Sequence, residues 1–543
     1  MASTSERVIE CLDANANFIV EAGAGSGKTR TLVDALVHLL GQRASHFQAH
    51  GQQVVAITYT NVAAREIVSR INGDPLVRVS TIHDFLWSVV SPFQAELKAA
   101  IIAANEAKPA RKKIADLDLQ DTAIEYWQYS SKWQEGKVHH DDVVSLSAWL
   151  FQNYPKLARL VVDRFPIVFV DEYQDTHEST INLLLDVLAA RFPERFTVGL
   201  FGDHMQKIYA SGVGKVERAD LILIQKTENY RSSKAVIEFL NRLRPELEQV
   251  PSGENADGSV KFIASAQLGD SSLQTVRNDL RNRGWTEESE KVLMLTRRGI
   301  AGDLEWTNLL AAYQKRGSFA IDDLVQRNDE FGESFAEIEM LCRSFADGRF
   351  GDYLAQRLSG ERAIRRHSDK ATHAREMAKL NELRDKASVG EVLAYAWGQG
   401  LVRKPSRVVR LEDRISKAET PERSAKDQEF RETLMAVPFA EVSRFEAYLD
   451  DETPFSTTHG VKGAEFQDVI VVINDKLWNM YRFESVLAND STRTQFERSL
   501  NLFYVACSRA RRHLVVLATS EMGEEAMAGA RRLFGESNVT EMG

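Results

Sequence analysis

The segment Ala22–Thr29 reads AGAGSGKT, with a short apolar run from Asn17 to Val20 before it and an amphipathic stretch from Thr31 to Leu40 after it. A glycine loop joining a strand to a helix narrows the choice of folds more than any other feature of this chain. It matches GxxxxGK[ST], except that Ala22 stands where the first glycine would be. Small residues at Gly23, Ala24, Gly25, Ser26 and Gly27 let backbone N–H groups converge on phosphate oxygens, and the positive end of the following helix adds to the attraction. Lys28 is then placed to reach terminal phosphates, and the Thr29 hydroxyl to ligate magnesium. The bland alternative is a bare glycine turn, which the strand–GKT–helix context disfavours.

The acidic half of such a site follows the apolar run IVFV as DEYQDT. Asp171 can hold magnesium directly or through water, and Glu172 can accept a proton from the attacking water. Asp175 either supports this pair or caps the next helix; the sequence leaves both open. In LFGDHMQKIY, Gln206 offers a neutral amide able to bond the γ-phosphate and the lytic water. In NYRSS, Tyr230 and Arg231 put a ring for stacking beside a guanidinium for phosphate oxygens. Without the other motifs, a packed tyrosine and a solvated arginine would serve equally well.

Further strand-like runs, VVAIT (54–58), VRVST (77–81), TVGLFGD (197–203) and Leu221–Ile224, alternate with helical stretches and predict a parallel sheet with crossovers. From about Phe85 to Leu160 the pattern is almost all helical and carries the basic cluster Lys108, Arg111, Lys112 and Lys113. The stretch Pro251–Gly258 reads as a boundary. Beyond it come SVKFIA and KVLMLT, then a long helical region from Arg298 to about Val442, then DVIVV and HLVVLAT. The charged run RKPSRVVRLEDRISKAETPERSAKDQEF within that region predicts a solvated hinge or long helix rather than a core element.

Composition removes several classes. A net charge of −10, from 68 basic and 78 acidic residues, excludes a wholly basic nucleic-acid coat but not a groove for a single strand. The longest apolar runs are of strand length, so no membrane partner is expected, and the N-terminus carries no secretory pattern. Cys11, Cys342 and Cys507 lie too far apart for a cysteine metal cluster, and their odd number suits a reducing cytoplasmic location.

Taken in order, the motifs resemble those of the superfamily 1 DNA helicases of the UvrD, Rep and PcrA type. The glycine loop is similar to motif I, AITYTNVAAREI to Ia, STIHDF to Ib, VDEYQDT to II, GDHMQKIY to III, ENYRSS to IV, TTHGVKGAEFQDVIVV to V, and NLFYVACSRARRHLVV to VI. The resemblance implies an α/β fold of two RecA-like P-loop NTPase lobes, each with a mainly helical insertion. The expected boundaries are lobe 1A at 1–84 and 156–250, insertion 1B at 85–155, lobe 2A at 251–300 and 446–543, and insertion 2B at 301–445.

The resemblance also implies ATP and Mg2+ as cofactors. Arg30 and Tyr230 would sandwich adenine, Arg231 and Arg509 would neutralise the transferring phosphoryl group, Glu465 would contact ribose, and Lys462 would lie near that edge. Tyr59, Thr60, Asn61, Thr81, His83, Tyr209 and His459 would line a track for single-stranded DNA, or for the tail of a 3′-tailed duplex. The implied activity is 3′-to-5′ translocation or unwinding. The compact insertions resemble those of the helicase-like subunits that accompany a separate nuclease, as in Gabija-type antiphage systems, so a nuclease subunit is an expected partner. The alternative is a DNA-stimulated NTPase module that regulates a nuclease without processive unwinding.

Two departures stand out. The family has a glutamine about twenty residues before the loop lysine that reads adenine, whereas Ser5 to Asp13 contains none, which leaves use of GTP or dATP open. Ser211 stands where the family has a tryptophan that stacks on a DNA base.

Overall fold

A computed structural model describes residues 3–542 except 59–60, 128–129, 210, 266–269, 287, 318–319, 350, 352–366, 418–420, 459 and 477–479. Strands β1 (Phe18–Ala22), β2 (Val54–Ile57), β3 (Val77–Ser80), β4 (Ile167–Asp171), β5 (Thr197–Gly202) and β6 (Ile222–Lys226) form one sheet in the order β3-β2-β4-β5-β1-β6. Every pairing in it is parallel. Parallel strands must be covered on both faces, and the sequence supplies for this near-continuous apolar runs. Val55, Ile57, Val168, Val170, Val198 and Leu200 pack into one buried cluster, while their neighbours Val54, Ala56, Ile167, Phe169 and Phe201 pack into another.

The register brings three strand ends together. Asp171 pairs with Phe201, and Glu21 with Gly202, so the ends of β1, β4 and β5 share one edge of the sheet. In an open parallel sheet the carboxyl edge is where the loops can hold a ligand.

Strands β7 (Ser259–Ser265), β8 (Glu290–Met294), β9 (Phe455–Thr457), β10 (Phe466–Ile473), β11 (Ala510–Ala518) and β12 (Val539–Met542) form a second sheet in the order β9-β8-β10-β11-β7-β12. The pairings of β8 with β9 and β10 are parallel. The outer strands β9 and β12 are short edges, without the apolar run that announces a central strand. The molecule is therefore of the α/β class, with two sheets of RecA-like type and helical insertions. By contacts it divides into one unit of Met1–Phe262, Asn479–Val515 and Met522–Thr540, and another of Ile263–Trp478, Val516–Glu521 and Glu541–Gly543.

One local expectation is corrected. The charged run after Arg403 folds as helices Ser406–Lys417 and Pro421–Met435, and it contributes Val408, Leu411, Phe430 and Leu434 to the buried interior. Its apolar residues sit three or four apart, enough for one buried stripe on an otherwise charged helix. The stretch at 251–258 is hydrogen-bonded to the segment before it. Asn255 donates to the carbonyls of Asn229 and Ser232, and the N–H groups of Lys234 and Ala235 donate to Ala256 and Asp257.

Candidate nucleotide site

The loop after β1 turns through Gly25 and Gly27, at φ of 77° and 79°, where a side chain would be strained, and the helix Lys28–His50 then begins. Ala22, at the position of the missing glycine, ends β1 fully buried, so the turn proper starts after it. The loop is held from behind. Asn229 and Gln249 both donate to the carbonyl of Ala24, at 3.0 and 3.1 Å, and the Tyr230 N–H donates to Gly25 at 3.1 Å. Ser26 is buried, and among the described residues its hydroxyl has no hydrogen-bond partner.

Lys28 donates to Glu172 at 3.2 Å, and the ion pair closes to 3.1 Å. Burial alone would lower the lysine pKa, but Glu172, Asp203 and Asp171 together hold it above its ordinary value. Glu172 itself sits in the left-handed region at φ 52°, a strained place for a glutamate. Asp171, at the end of β4, is buried, and burial with the neighbouring Glu172 pushes its pKa up to about 7. A buried carboxylate so disfavoured as an anion wants a cation, and Asp171 and the Thr29 hydroxyl are each of the hard oxygen type that magnesium takes. Asp175 lies in a short 3-10 turn, and His177 caps the helix that follows, so the capping alternative for Asp175 does not hold.

Gln206 is buried and donates to Asp203 at 2.7 Å. Its carbonyl oxygen accepts from Arg509 at 3.3 Å. Arg509, fully buried, also donates to the carbonyl of Val505 and to the Ser508 hydroxyl. Burial, with the nearby charge of Arg231 adding, brings its pKa down to about 9, against the pull of Glu172. Arg231 donates to the Ser508 carbonyl at 2.7 Å. Thus Lys28, Glu172, Gln206, Arg231 and Arg509 fall within one unit, joined by direct contacts or by charge.

The remaining positions are more scattered. Tyr230 is 53 % exposed, with Lys226 Nζ 5.8 Å from its ring centre, and Arg30 is exposed. Glu465 and Lys462 lie in the loop between β9 and β10. Thr81 caps the helix Ile82–Val90 through the Asp84 N–H, and His83 in its first turn meets the His140 ring at 5.3 Å. Tyr209 is half-buried, and Asn61 opens the helix Asn61–Arg70. Tyr59, Thr60 and His459 lie outside the described residues. The stretch without a glutamine is the helix Thr4–Asp13, from which Thr4 donates to Glu228 at 3.5 Å and Arg7 to the Leu223 carbonyl at 3.1 Å.

Motif reading passed over a buried cluster beside this site. Arg244, 2 % exposed, pairs with Glu21 at 2.9 Å and Asp203 at 2.6 Å. Glu21 also takes the Tyr173 hydroxyl at 2.5 Å and His204 Nδ1 at 2.6 Å. One signal was legible: a glutamate interrupting the apolar strand before the loop needs a buried partner.

These parts together describe a P-loop nucleoside-triphosphate hydrolase built on paired α/β sheets. The UvrD/REP helicase N-terminal domain matches residues 2–98 and 90–217, and the UvrD-like helicase C-terminal domain matches 305–521, so the chain belongs to the UvrD/Rep helicase family. It is accordingly an ATP-hydrolysing enzyme of the DNA helicase and translocase class. Among curated relatives, it is 23 % identical to "Gabija protein GajB" of Bacillus cereus (strain HuB5-5) over 670 aligned positions, covering 97 % of this chain and 96 % of that one. It is 26 % identical over 294 positions to "ATP-dependent DNA helicase PcrA" of Staphylococcus aureus (strain Mu50 / ATCC 700699), covering 44 % of this chain and 39 % of the relative. For "ATP-dependent DNA helicase UvrD1" of Mycobacterium leprae (strain TN) the values are 27 % over 290 positions, 41 % and 37 %. The chain thus spans nearly all of the first relative and well under half of the other two. Among the described residues no helix is long and apolar enough to cross a membrane.

Proposed function

We propose that the chain is a 3′-to-5′ single-stranded DNA translocase and helicase that couples Mg-ATP hydrolysis to strand tracking, in the cytoplasm and beside a partner nuclease. The observation that supports this best is the junction of Arg509 with Gln206, next to the Lys28–Glu172 pair. It puts a candidate γ-phosphate sensor in contact with an arginine from the C-terminal motif. Magnesium, when bound by Thr29 and Asp171, supplies charge neutralisation of the phosphates.

The residues divide the work. Lys28 exchanges Glu172 for phosphate when nucleotide arrives, and this releases Glu172 to accept the proton of the attacking water. N–H groups of the loop, among them those of Gly25, Gly27, Lys28 and Thr29, cradle the phosphates. Gln206 orients the water, Arg231 and Arg509 stabilise the charge that develops, Arg30 and Tyr230 hold adenine, and Glu465 meets ribose. Tyr59, Thr60, Asn61, Thr81, His83, Tyr209 and His459 form the proposed strand track. The proposed lobes are 1–84 with 156–250, and 251–300 with 446–543; the insertions are 85–155 and 301–445.

A second reading, an NTPase module that regulates a nuclease without processive unwinding, draws support from the exposed Ser211 where a stacking tryptophan would stand. Base stacking on an aromatic contributes about 1–3 kcal/mol. Strand displacement on 3′-tailed and 5′-tailed duplexes decides between them. Product from the 3′-tailed substrate alone is expected. Vigorous ATP hydrolysis with no displacement at any protein concentration favours the module, and product from the 5′ tail alone overturns the polarity.

A further inference from the structure

Tyr504 has no part in the roles above, yet its hydroxyl is the meeting point of three of the site's elements. It is fully buried on the helix Phe496–Cys507, which leads directly to Arg509. The hydroxyl accepts from the Ala24 N–H at 3.2 Å and from Arg244 at 3.4 Å, and it donates to Asp203 Oδ2 at 3.3 Å. Asp203 Oδ2 in turn accepts from Gln206 Nε2 at 2.7 Å, and Gln206 Oε1 accepts from Arg509 at 3.3 Å.

We propose that Tyr504 is a positioning residue that registers Arg509 and Gln206 against the phosphate loop. The chemistry runs in two directions from its hydroxyl. Toward the loop, it satisfies the Ala24 N–H, so the loop's shape depends on the helix that delivers Arg509. Toward Asp203, it helps hold a carboxylate that only the nitrogen side of the Gln206 amide can approach. The amide oxygen is thereby left for Arg509; a flipped amide would set oxygen against carboxylate and N–H against guanidinium. Arg244 pairs with both Asp203 and Glu21, so the buried carboxylate has a cation as well as the two hydrogen-bond donors against it. Nucleotide entering the loop would be felt at Arg509 through this chain of bonds.

This inference rests on the reading of Arg509 as a phosphate-facing group, and its test separates the two. Steady-state ATP hydrolysis with single-stranded DNA present is measured for Tyr504→Phe, Arg509→Lys and the double variant. Tyr504→Phe is expected to lower kcat about tenfold with KM within about twofold, and to cause no further loss in the Arg509→Lys background. Losses that multiply in the double variant would show a structural role only and overturn the proposal. So would a Tyr504→Phe kcat within about twofold of wild type while Arg509→Lys is impaired. An unimpaired Arg509→Lys overturns the reading of Arg509 and this inference with it. Should Tyr504→Phe fail to fold, as judged by circular dichroism, the isosteric Asp203→Asn enters the same cycle with the same expected non-additivity and the same overturning result.

Discussion

Lys28 and Glu172 hold each other in an ion pair, so each restrains the other's chemistry until phosphate competes for the amine. In the proposed mechanism, altering either removes a group that the reaction needs in its charged and oriented form. Lys28→Ala and Glu172→Gln are each expected to lower kcat by more than about tenfold, measured by phosphate release at saturating magnesium. Glu172→Gln should retain nucleotide binding, since the amide still fits and the repulsion felt by Asp171 is relieved; hydrolysis at the wild-type rate would remove the base assignment. These two residues were legible because their neighbours in sequence are also their neighbours in chemistry. Arg244 was not, since an arginine in NRLRPELEQ looks solvated until the fold lays it across Glu21 and Asp203.

At the scale of elements, the helix Ser406–Lys417 shows how charge content can mislead. Leu411 is fully buried while Val409 is 44 % exposed, so only one face of the helix is read by the interior. Leu411→Ala is expected to destabilise by about 2–5 kcal/mol, from lost transfer energy and the cavity left behind. Val409→Ala should stay within about 0.5 kcal/mol, both measured by urea unfolding. Equal effects would contradict the packing of this helix. The central strands of the first sheet were legible for the opposite reason: strands covered on both faces leave no polar alternation to confuse them. The edge strands β9 and β12 carry no such run, and their pairing comes from partners distant in sequence.

For the molecule as a whole, the buried charges around Glu21 predict how stability depends on pH. Burial would raise the Glu21 pKa, but His204, Tyr173 and Arg244 outweigh it and hold the carboxyl at about 2, below its ordinary 4.5. A depressed pKa contributes stability above pH 4.5 that is lost as pH falls toward 2. Urea unfolding across that window should show wild type losing stability more steeply than Glu21→Gln. Parallel slopes would mean that Glu21 is not the group responsible.

The order of motifs, the phosphate loop and its carboxylates were fixed by local sequence, because loop geometry and strand burial each demand particular residues within a few positions. The tertiary structure alone decided which distant groups stand behind them: Tyr504 on Ala24, Arg244 on Asp203, Arg509 on Gln206. Those contacts join residues separated by tens to hundreds of positions, and no local pattern encodes them. Only the register of a parallel sheet, which brings the ends of β1, β4 and β5 to one edge, makes neighbours of the residues that follow those strands.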